Sequence, residues 1–286
     1  MAVQRDPRLL YGAEIRQRIL DDVADDISRL GKRRKVGRLV SVGIGDVEEI
    51  AVYIRGQARA AVAVGLPFDQ QHWSADLTQD ECKRRLVEMN DAPDVLGVIL
   101  QRPVPAHVNV RSLQSAIHPL KDVEGMNPAS IGNIVYNQMA LAPCTAAASV
   151  EMIRATGMKI EGMEVVVVGH SEIVGKPAAF MLMAEGATVT VCHHMTRSVA
   201  AHTRRADAVL VAVGVPGLLT ADMVKPGAAV IDIGINQVTD ADGTSRIVGD
   251  ADTAAVAEVA SWTTPVPGGV GPVTVSMLMR NAAIAL

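Results

Sequence analysis

The stretch Val165–Pro177, VVVVGHSEIVGKP, runs from four consecutive valines through a glycine and a short polar loop into an apolar segment. Four valines in a row mark a strand buried on both faces, as in a parallel sheet. Gly169 lets the chain turn sharply out of that strand, and Gly175 removes a side chain where backbone must come close. Ser171 can offer its hydroxyl to a phosphate. A helix expected over Ile173–Glu185 would point unpaired N–H groups and the positive end of its dipole at the same place. Strand, glycine turn and helix in this order seat the pyrophosphate of a dinucleotide. The loop is not G-x-G-x-x-G, so taken alone it also fits a purely structural turn.

Further strands are expected at Thr188–Cys192, Asp207–Val213, Ala228–Ile233 and Ser261–Thr264. Two strand ends run straight into Gly or Pro loops, VAVGVPG (Val211–Gly217) and IDIGIN (Ile231–Asn236). Such ends line the ligand crevice of an open α/β sheet. TPVPGGVGPVT (Thr264–Thr274) holds more fixed-backbone residues than an ordinary connection needs. Upstream, strands at Arg38–Ile44 and Val95–Leu100 alternate with helices at Val47–Val64, Thr78–Asn90 and Val108–Ile117, while His118–Gly132 reads as loop. Thr145–Thr156 reads as a helix bridging the halves, and Val273–Ala285 as a last helix returning to the first. This alternation predicts a parallel α/β protein.

The 286 residues suffice for one large or two ordinary domains. Hydrophobic residues make up 49% and aromatic residues only 2%, so the core must be built from Val, Ile, Leu, Ala and Met. A net charge of -4 is not the basic excess of a nucleic-acid binder. The one dense basic run, Lys32–Lys35, reads as a solvated turn after a helix. Cys82, Cys144 and Cys192 are odd in number and far apart, which suggests neither a metal site nor a disulfide framework. Reduced thiols fit the cytoplasm. The opening MAVQRDPRLL has no apolar leader stretch, and no apolar run reaches the ~18 residues of a spanning helix. A cytoplasmic protein without membrane or nucleic-acid partners is expected.

Several segments together resemble the bifunctional methylenetetrahydrofolate dehydrogenase/cyclohydrolase family over nearly the whole chain. Gly169–Pro177 is similar to its GRSxIVGxP loop, and Ala187–Thr196 to its ATVTxCHSxT strand. Val224–Asn236, Val248–Asp250 and Thr264–Thr274 are near-verbatim, Pro143–Thr145 matches PCT, and Lys121–Gly125 matches KDVDG. The resemblance implies two lobes with a cleft between them, where the substrate would lie. Residues 1–142, completed by the C-terminal helix 272–286, would form the smaller α/β catalytic lobe. Residues 143–271 would form a Rossmann-type dinucleotide-binding domain. It also implies a homodimer, NADP or NAD as cofactor, and a reduced folate as substrate. Hydride would leave 5,10-methylenetetrahydrofolate, and water would then open the methenyl product to 10-formyltetrahydrofolate. The residues it assigns to catalysis are Tyr53, Gln57, Gln101 and Glu124. Gly169, His170, Ser171, Ile173, Val174, His194, Gly214 and Ile235 would meet the cofactor. Arg102, Pro103, Pro267, Gly268 and Gly269 would join Tyr53, Gln101 and Glu124 around the substrate. No metal site is implied.

The pocket departs from the family pattern at several points. The YxxxK helix motif reads Tyr53-Ile54-Arg55-Gly56-Gln57. Positions i and i+4 share one helix face, but an amide cannot titrate where the family has a lysine. Losing a group that manages protons costs about 10²–10⁴-fold, whereas hydride transfer needs chiefly a well-placed carbon. Dehydrogenation is therefore expected to survive and cyclohydrolase activity to be weak or absent. Arg55, Arg59 or Arg102 could supply charge but not act as a base. Glu124 replaces an aspartate that grips the pterin ring, Arg102 a leucine, Ile50 a serine, and Ala146 and Ala148 a proline and a glycine. On the cofactor side His170 replaces the arginine that meets the 2′-phosphate of NADP, and His194 a serine. The acid that would mark NAD is absent from His193-His194-Met195-Thr196-Arg197, so NADP and NAD stay undecided. The changed pocket leaves two alternatives: the same hydride chemistry on a non-folate imine or iminium compound, and a non-catalytic dinucleotide-binding homologue.

Overall fold

The computed structural model describes residues 6–32, 35–46, 50–240 and 243–285. Arg33 and Arg34 of the basic run, and Val47–Glu49 of an expected helix, lie outside them. The chain forms two compact units, one of Gln17–Cys144 with Val275–Leu286, the other of Met1–Arg16 with Thr145–Thr274. The described residues up to Arg16 thus cluster with the second unit, not with the lobe to which 1–142 were assigned. The reason is backbone pairing: the N–H of Leu10 donates to Thr263 O (2.8 Å), that of Thr263 to Arg8 O (3.0 Å), and that of Gly12 to Gly268 O (2.9 Å).

In chain order the first elements are α1 (Gly12–Gly31), β1 (Arg38–Ile44), α2 (Ala51–Ala63), β2 (Phe68–Trp73), α3 (Gln79–Asp91), β3 (Val95–Leu100), α4 (Val110–Ala116) and α5 (Pro128–Val135). The three strands form a parallel sheet of order β2-β1-β3. Side chains alternate across a strand, so Val40, Val42 and Ile44 face a core with Val98, Leu100, Leu86, Leu113 and Ile117. Ser41 points to the opposite face and is fully buried. Thr78, Asn109 and Asn127 each cap a helix by accepting a backbone N–H. The last of these corrects the loop expected over His118–Gly132. Asn127 as cap and Pro128 in the first turn start α5 inside it, since a proline needs no hydrogen-bond partner there.

The remaining elements are α6 (Cys144–Ala155), β4 (Glu164–Val168), α7 (Gly175–Ala184), β5 (Thr188–Cys192), α8 (Val199–Thr203), β6 (Ala208–Val211), β7 (Ala229–Asp232), β8 (Asn236–Thr239), β9 (Ser245–Val248), α9 (Thr253–Ala257), β10 (Trp262–Thr263) and α10 (Val270–Ala285). Five strands form a parallel sheet of order β10-β7-β6-β4-β5, and β8 and β9 a separate antiparallel hairpin. Val166, Val168, Val209, Val211 and Val230 share one core cluster with Leu219 and Val256. The intervening Val165, Val167, Leu210 and Ile231 are equally buried, so these strands are covered on both faces, as the valine run requires. Counted from β4, the strand order is 2-1-3-4-5. The order reverses between β4 and β6, and ligands of open α/β sheets bind outside the carboxyl ends at such a reversal.

Candidate active site

In the first unit, α2 carries Tyr53 and Gln57 one turn apart, and Gln101 follows β3 directly. The Gln101 N–H donates to Val42 O (2.9 Å), which extends the β3–β1 ladder and fixes where the side chain leaves it. Gln57 is 1% exposed and Gln101 4%. The Gln101 Nε2 donates to Gln57 Oε1 (2.7 Å) and to Ser41 Oγ (3.0 Å). A side-chain hydrogen bond joins Gln57 to the Tyr53 hydroxyl. Ser41, Gln101, Gln57 and Tyr53 thus form one hydrogen-bonded chain that holds no ionised member. Tyr53 is 44% exposed as a residue, so the chain ends at a partly exposed side chain. Desolvation foremost, then the fields of Cys144 and Glu124, push its pKa up to about 12. At neutral pH it keeps its proton and can donate it in a hydrogen bond.

Glu124 accepts the Leu100 N–H at 2.8 Å. Burial raises its pKa to about 7, against the pull of that hydrogen bond and of Arg102. Its neighbour Asp122 is committed elsewhere: it accepts from the Asn127 N–H (2.6 Å) and the Ser130 hydroxyl (3.1 Å) and ties down the loop into α5. From α10, Asn281 Nδ2 donates to Val123 O and Ala142 O, both at 2.9 Å, which anchors the segment bearing Glu124. Arg102 and Pro103 are exposed and joined by a cis peptide. Arg55 and Arg59 are exposed as well, and Arg59 Nε donates to Arg55 O. Neither arginine joins the buried chain. Ile50, standing at the α2 cap position, offers no side-chain hydrogen bond there.

In the second unit the chain leaves β4 at Gly169, whose φ is +117°. A Cβ there would sit 2.2 Å from Ala212 O, and one at Gly175 would sit 2.0 Å from Gly169 O. The loop therefore folds back on itself only because both residues are glycine. Ile173 and Val174 are half-buried within it. Ser171 Oγ accepts from the N–H groups of Val174 (3.2 Å) and Gly175 (3.4 Å). This corrects two expectations. The helix starts at Gly175 and not Ile173, and its first amides are occupied by the serine instead of unpaired.

Across the reversal point, the N–H groups of Val213, Gly214 and Val215 all donate to the Asp250 carboxylate, at 2.6, 2.9 and 2.9 Å. Asn236 Nδ2 adds a fourth bond at 2.8 Å. The N–H groups of Asp250, Ala251 and Gly234 converge likewise on Asp232, whose pKa burial raises to about 6. A Cβ at Gly214 would meet nothing nearer than 4.0 Å, so the β6 exit is open where a dinucleotide would approach. This fits the expected cofactor: a bare glycine on each side of the reversal, with the second loop braced from behind. Ile235, at 72% exposure, lies beyond β7. Pro267, Gly268 and Gly269 form a tight turn against Gly12, where a Cβ would sit 2.0 Å from Gly269 O. His170 and His193 stack with ring centroids 4.6 Å apart, and His194 lies 6.1 Å and 5.9 Å from them. Among the described residues no group of three or more His, Cys, Asp or Glu is arranged to hold a metal ion, and no helix is long and apolar enough to cross a membrane.

Ser41, Asn281 and Asp232 were not foreseen as site residues. Ser41 had one available signal, a lone polar residue in the apolar strand RLVSVGI. Asn281 had none, because its partners lie 158 and 139 residues away.

Comparison with known proteins bears on both units. Residues 10–124 match the model of the tetrahydrofolate dehydrogenase/cyclohydrolase catalytic domain, and residues 143–286 that of the same family's NAD(P)-binding domain. The chain is 71% identical over 98% of its length to bifunctional protein FolD 3 of Roseobacter denitrificans, covering 96% of that protein. It is 68% identical over its full length to bifunctional protein FolD of Rhodobacter capsulatus, covering 95% of that protein. Among solved structures, the bifunctional FolD enzyme of Campylobacter jejuni matches with a TM-score of 0.91 at 34% identity over 97% of both chains. The Trypanosoma brucei FolD, solved with NADP and an inhibitor, matches with a TM-score of 0.89 at 35% identity over 97% of this chain and 96% of that one.

Proposed function

This chain belongs to the tetrahydrofolate dehydrogenase/cyclohydrolase family, and on that premise we propose that it oxidises 5,10-methylenetetrahydrofolate to the 5,10-methenyl compound with a nicotinamide dinucleotide. The observation that carries the reading is the hydrogen-bonded chain Ser41–Gln101–Gln57–Tyr53, buried up to Gln57, beside Glu124. It is a rigid set of neutral donors and acceptors, suited to holding a carbon donor in one pose. The bound dinucleotide supplies the hydride acceptor. Gln57 and Gln101 fix each other, so neither side chain needs to be ordered when substrate arrives. Tyr53 retains its O–H as a hydrogen-bond donor. Glu124, as carboxylate, accepts ring N–H groups of the pterin. The non-folate and non-catalytic alternatives are not favoured, since both family models that match the chain are those of tetrahydrofolate dehydrogenase/cyclohydrolase.

The family carries a second activity, hydrolysis of the methenyl bridge. The finer proposal, that this step is slow here, rests on Gln57 alone. Its amide accepts from Gln101 and hydrogen-bonds Tyr53, and it cannot titrate. One preparation tests both statements. Methylenetetrahydrofolate with each dinucleotide should produce the 340 nm absorbance of reduced coenzyme, and the methenyl chromophore should then persist. No reduction with either coenzyme would sink the dehydrogenase reading. Methenyl decay as fast as its formation would sink the slow-hydrolysis reading.

A further inference from the structure

In a dinucleotide-binding unit the end of the second strand meets the 2′ position of the adenosine ribose, where a carboxylate binds the free hydroxyl and a cation accommodates a 2′-phosphate. Here that strand is β5, and the chain beyond Cys192 reads His193-His194-Met195-Thr196-Arg197, with no acid before Asp207. His170 reaches the same place from the loop after β4, stacked on His193 with 4.6 Å between centroids and with His194 close to both. Three imidazoles from two loops therefore gather at the position that discriminates the two coenzymes. We infer that His170, His193 and His194 form a cradle for the 2′-phosphate of NADP, and that this cradle makes the choice between NADP and NAD depend on pH. The inference rests on the coenzyme binding proposed above and extends it to coenzyme selection.

The three rings have different parts. His193 Nδ1 accepts the Met195 N–H at 3.2 Å, and its own backbone N–H donates to Thr196 Oγ1 at 2.9 Å. That places the hydrogen of a neutral His193 on Nε2 and makes the ring a fixed donor. His170 and His194 are exposed and open to an incoming anion. The other charged groups of these segments are Lys176 in the first turn of α7, Glu172 on the His170 loop and Arg197 beyond the histidine pair. Desolvation foremost, then His193, Lys176 and His194, hold His170 below the usual histidine value. Without phosphate, His170 thus favours its neutral form and can meet a ribose hydroxyl. A dianion placed among the rings reverses that balance, because an opposite charge favours the protonated imidazole. NADP should therefore bind with proton uptake and NAD without it. The 2′-phosphate, with a second pKa of about 6, is almost fully dianionic at pH 7 and contributes little of the opposite sign.

The test is isothermal titration of the protein with NADP+ and NAD+ at pH 7, in two buffers of different ionisation enthalpy, repeated from pH 6.5 to 8. NADP+ should take up about one proton and bind about tenfold more tightly at pH 6.5 than at pH 8. NAD+ should take up close to none. In the double variant His170→Asn/His194→Asn the ratio of the two affinities should become independent of pH. Both residues are exposed, and a circular dichroism melt confirms that the variant is folded. Equal proton uptake for the two coenzymes, or a flat affinity ratio in the unmodified protein, overturns the cradle while leaving the coenzyme reading intact. Binding of neither coenzyme overturns both.

Discussion

Glu124 joins stability and binding through one proton. Its pKa in the folded protein is about 7, above the ordinary 4.5. A group raised on folding contributes stability that is complete below about pH 4.5 and is lost as pH rises through 7. Glu124→Gln should therefore melt above the unmodified protein at pH 8, by about 1–3 kcal/mol in unfolding free energy, with the difference vanishing by pH 4.5. Folate binding runs the other way, because only the carboxylate offers two acceptors. Tetrahydrofolate affinity should rise between pH 6 and 8 in the unmodified protein and stay flat in Glu124→Gln, as read by fluorescence titration. Asp122 offers a contrast two residues away. Asp122→Ala should lower the melting temperature by stranding the Asn127 N–H and the Ser130 hydroxyl, whereas Glu124→Ala should chiefly weaken folate binding.

Gln57→Lys tests the proton argument at the same scale. The new ammonium can still donate to Tyr53 but cannot accept from Gln101, so Gln101 must turn its amide. Methenyl hydrolysis should rise by about 10²-fold or more, measured as decay of the methenyl absorbance. No gain would show that Gln57 does not limit that step.

Between β4 and α7, backbone atoms touch backbone atoms. Gly175→Ala would place a methyl 2.0 Å from Gly169 O, and nothing flexible there can yield. Gly175→Ala should cost more than 2 kcal/mol in a denaturant melt and weaken both coenzymes alike, unlike changes in the histidine cluster. Elements of this kind were readable in advance. β1, β3 and β5 have their expected bounds because each is dominated by β-branched or aliphatic residues. β2, FDQQHW, escaped notice because it lies at a sheet edge, half-exposed and polar along most of its length. The hairpin of β8 and β9 escaped for the same reason, being exposed at most positions. Helix α5 carried its start signal in Asn127-Pro128, hidden within a segment too polar to show a helical period. The site was legible where a motif is local, as with Tyr53 and Gln57 or Gly169 and Gly175. It was opaque where partners are remote, as with Ser41, 60 residues from Gln101.

At the scale of the molecule, each unit is assembled from two stretches of chain. The first unit needs residues beyond Val275, and Asn281 shows why: it satisfies two backbone carbonyls, of Val123 and Ala142, that are otherwise sealed from water. Asn281→Leu should leave Ala142 O without that donor and Val123 O with only the weak Cys144 thiol, at a cost of about 1–3 kcal/mol, seen as a lower melting temperature. Asn281→Asp should rescue little, since a carboxylate cannot donate to a carbonyl.

This interleaving also constrains the order in which the newborn polypeptide can settle. Domains usually fold as units while the ribosome is still translating. Here the Rossmann-type sheet must wait for Trp262–Thr263 before its outermost strand exists, although the segment that pairs with it was made at the outset. The other unit has all three of its strands by Leu100, yet holds two carbonyls open until Asn281 clears the exit tunnel. A premature stop between Val275 and Asn281 would therefore release an unfinished first-made unit beside a finished later one.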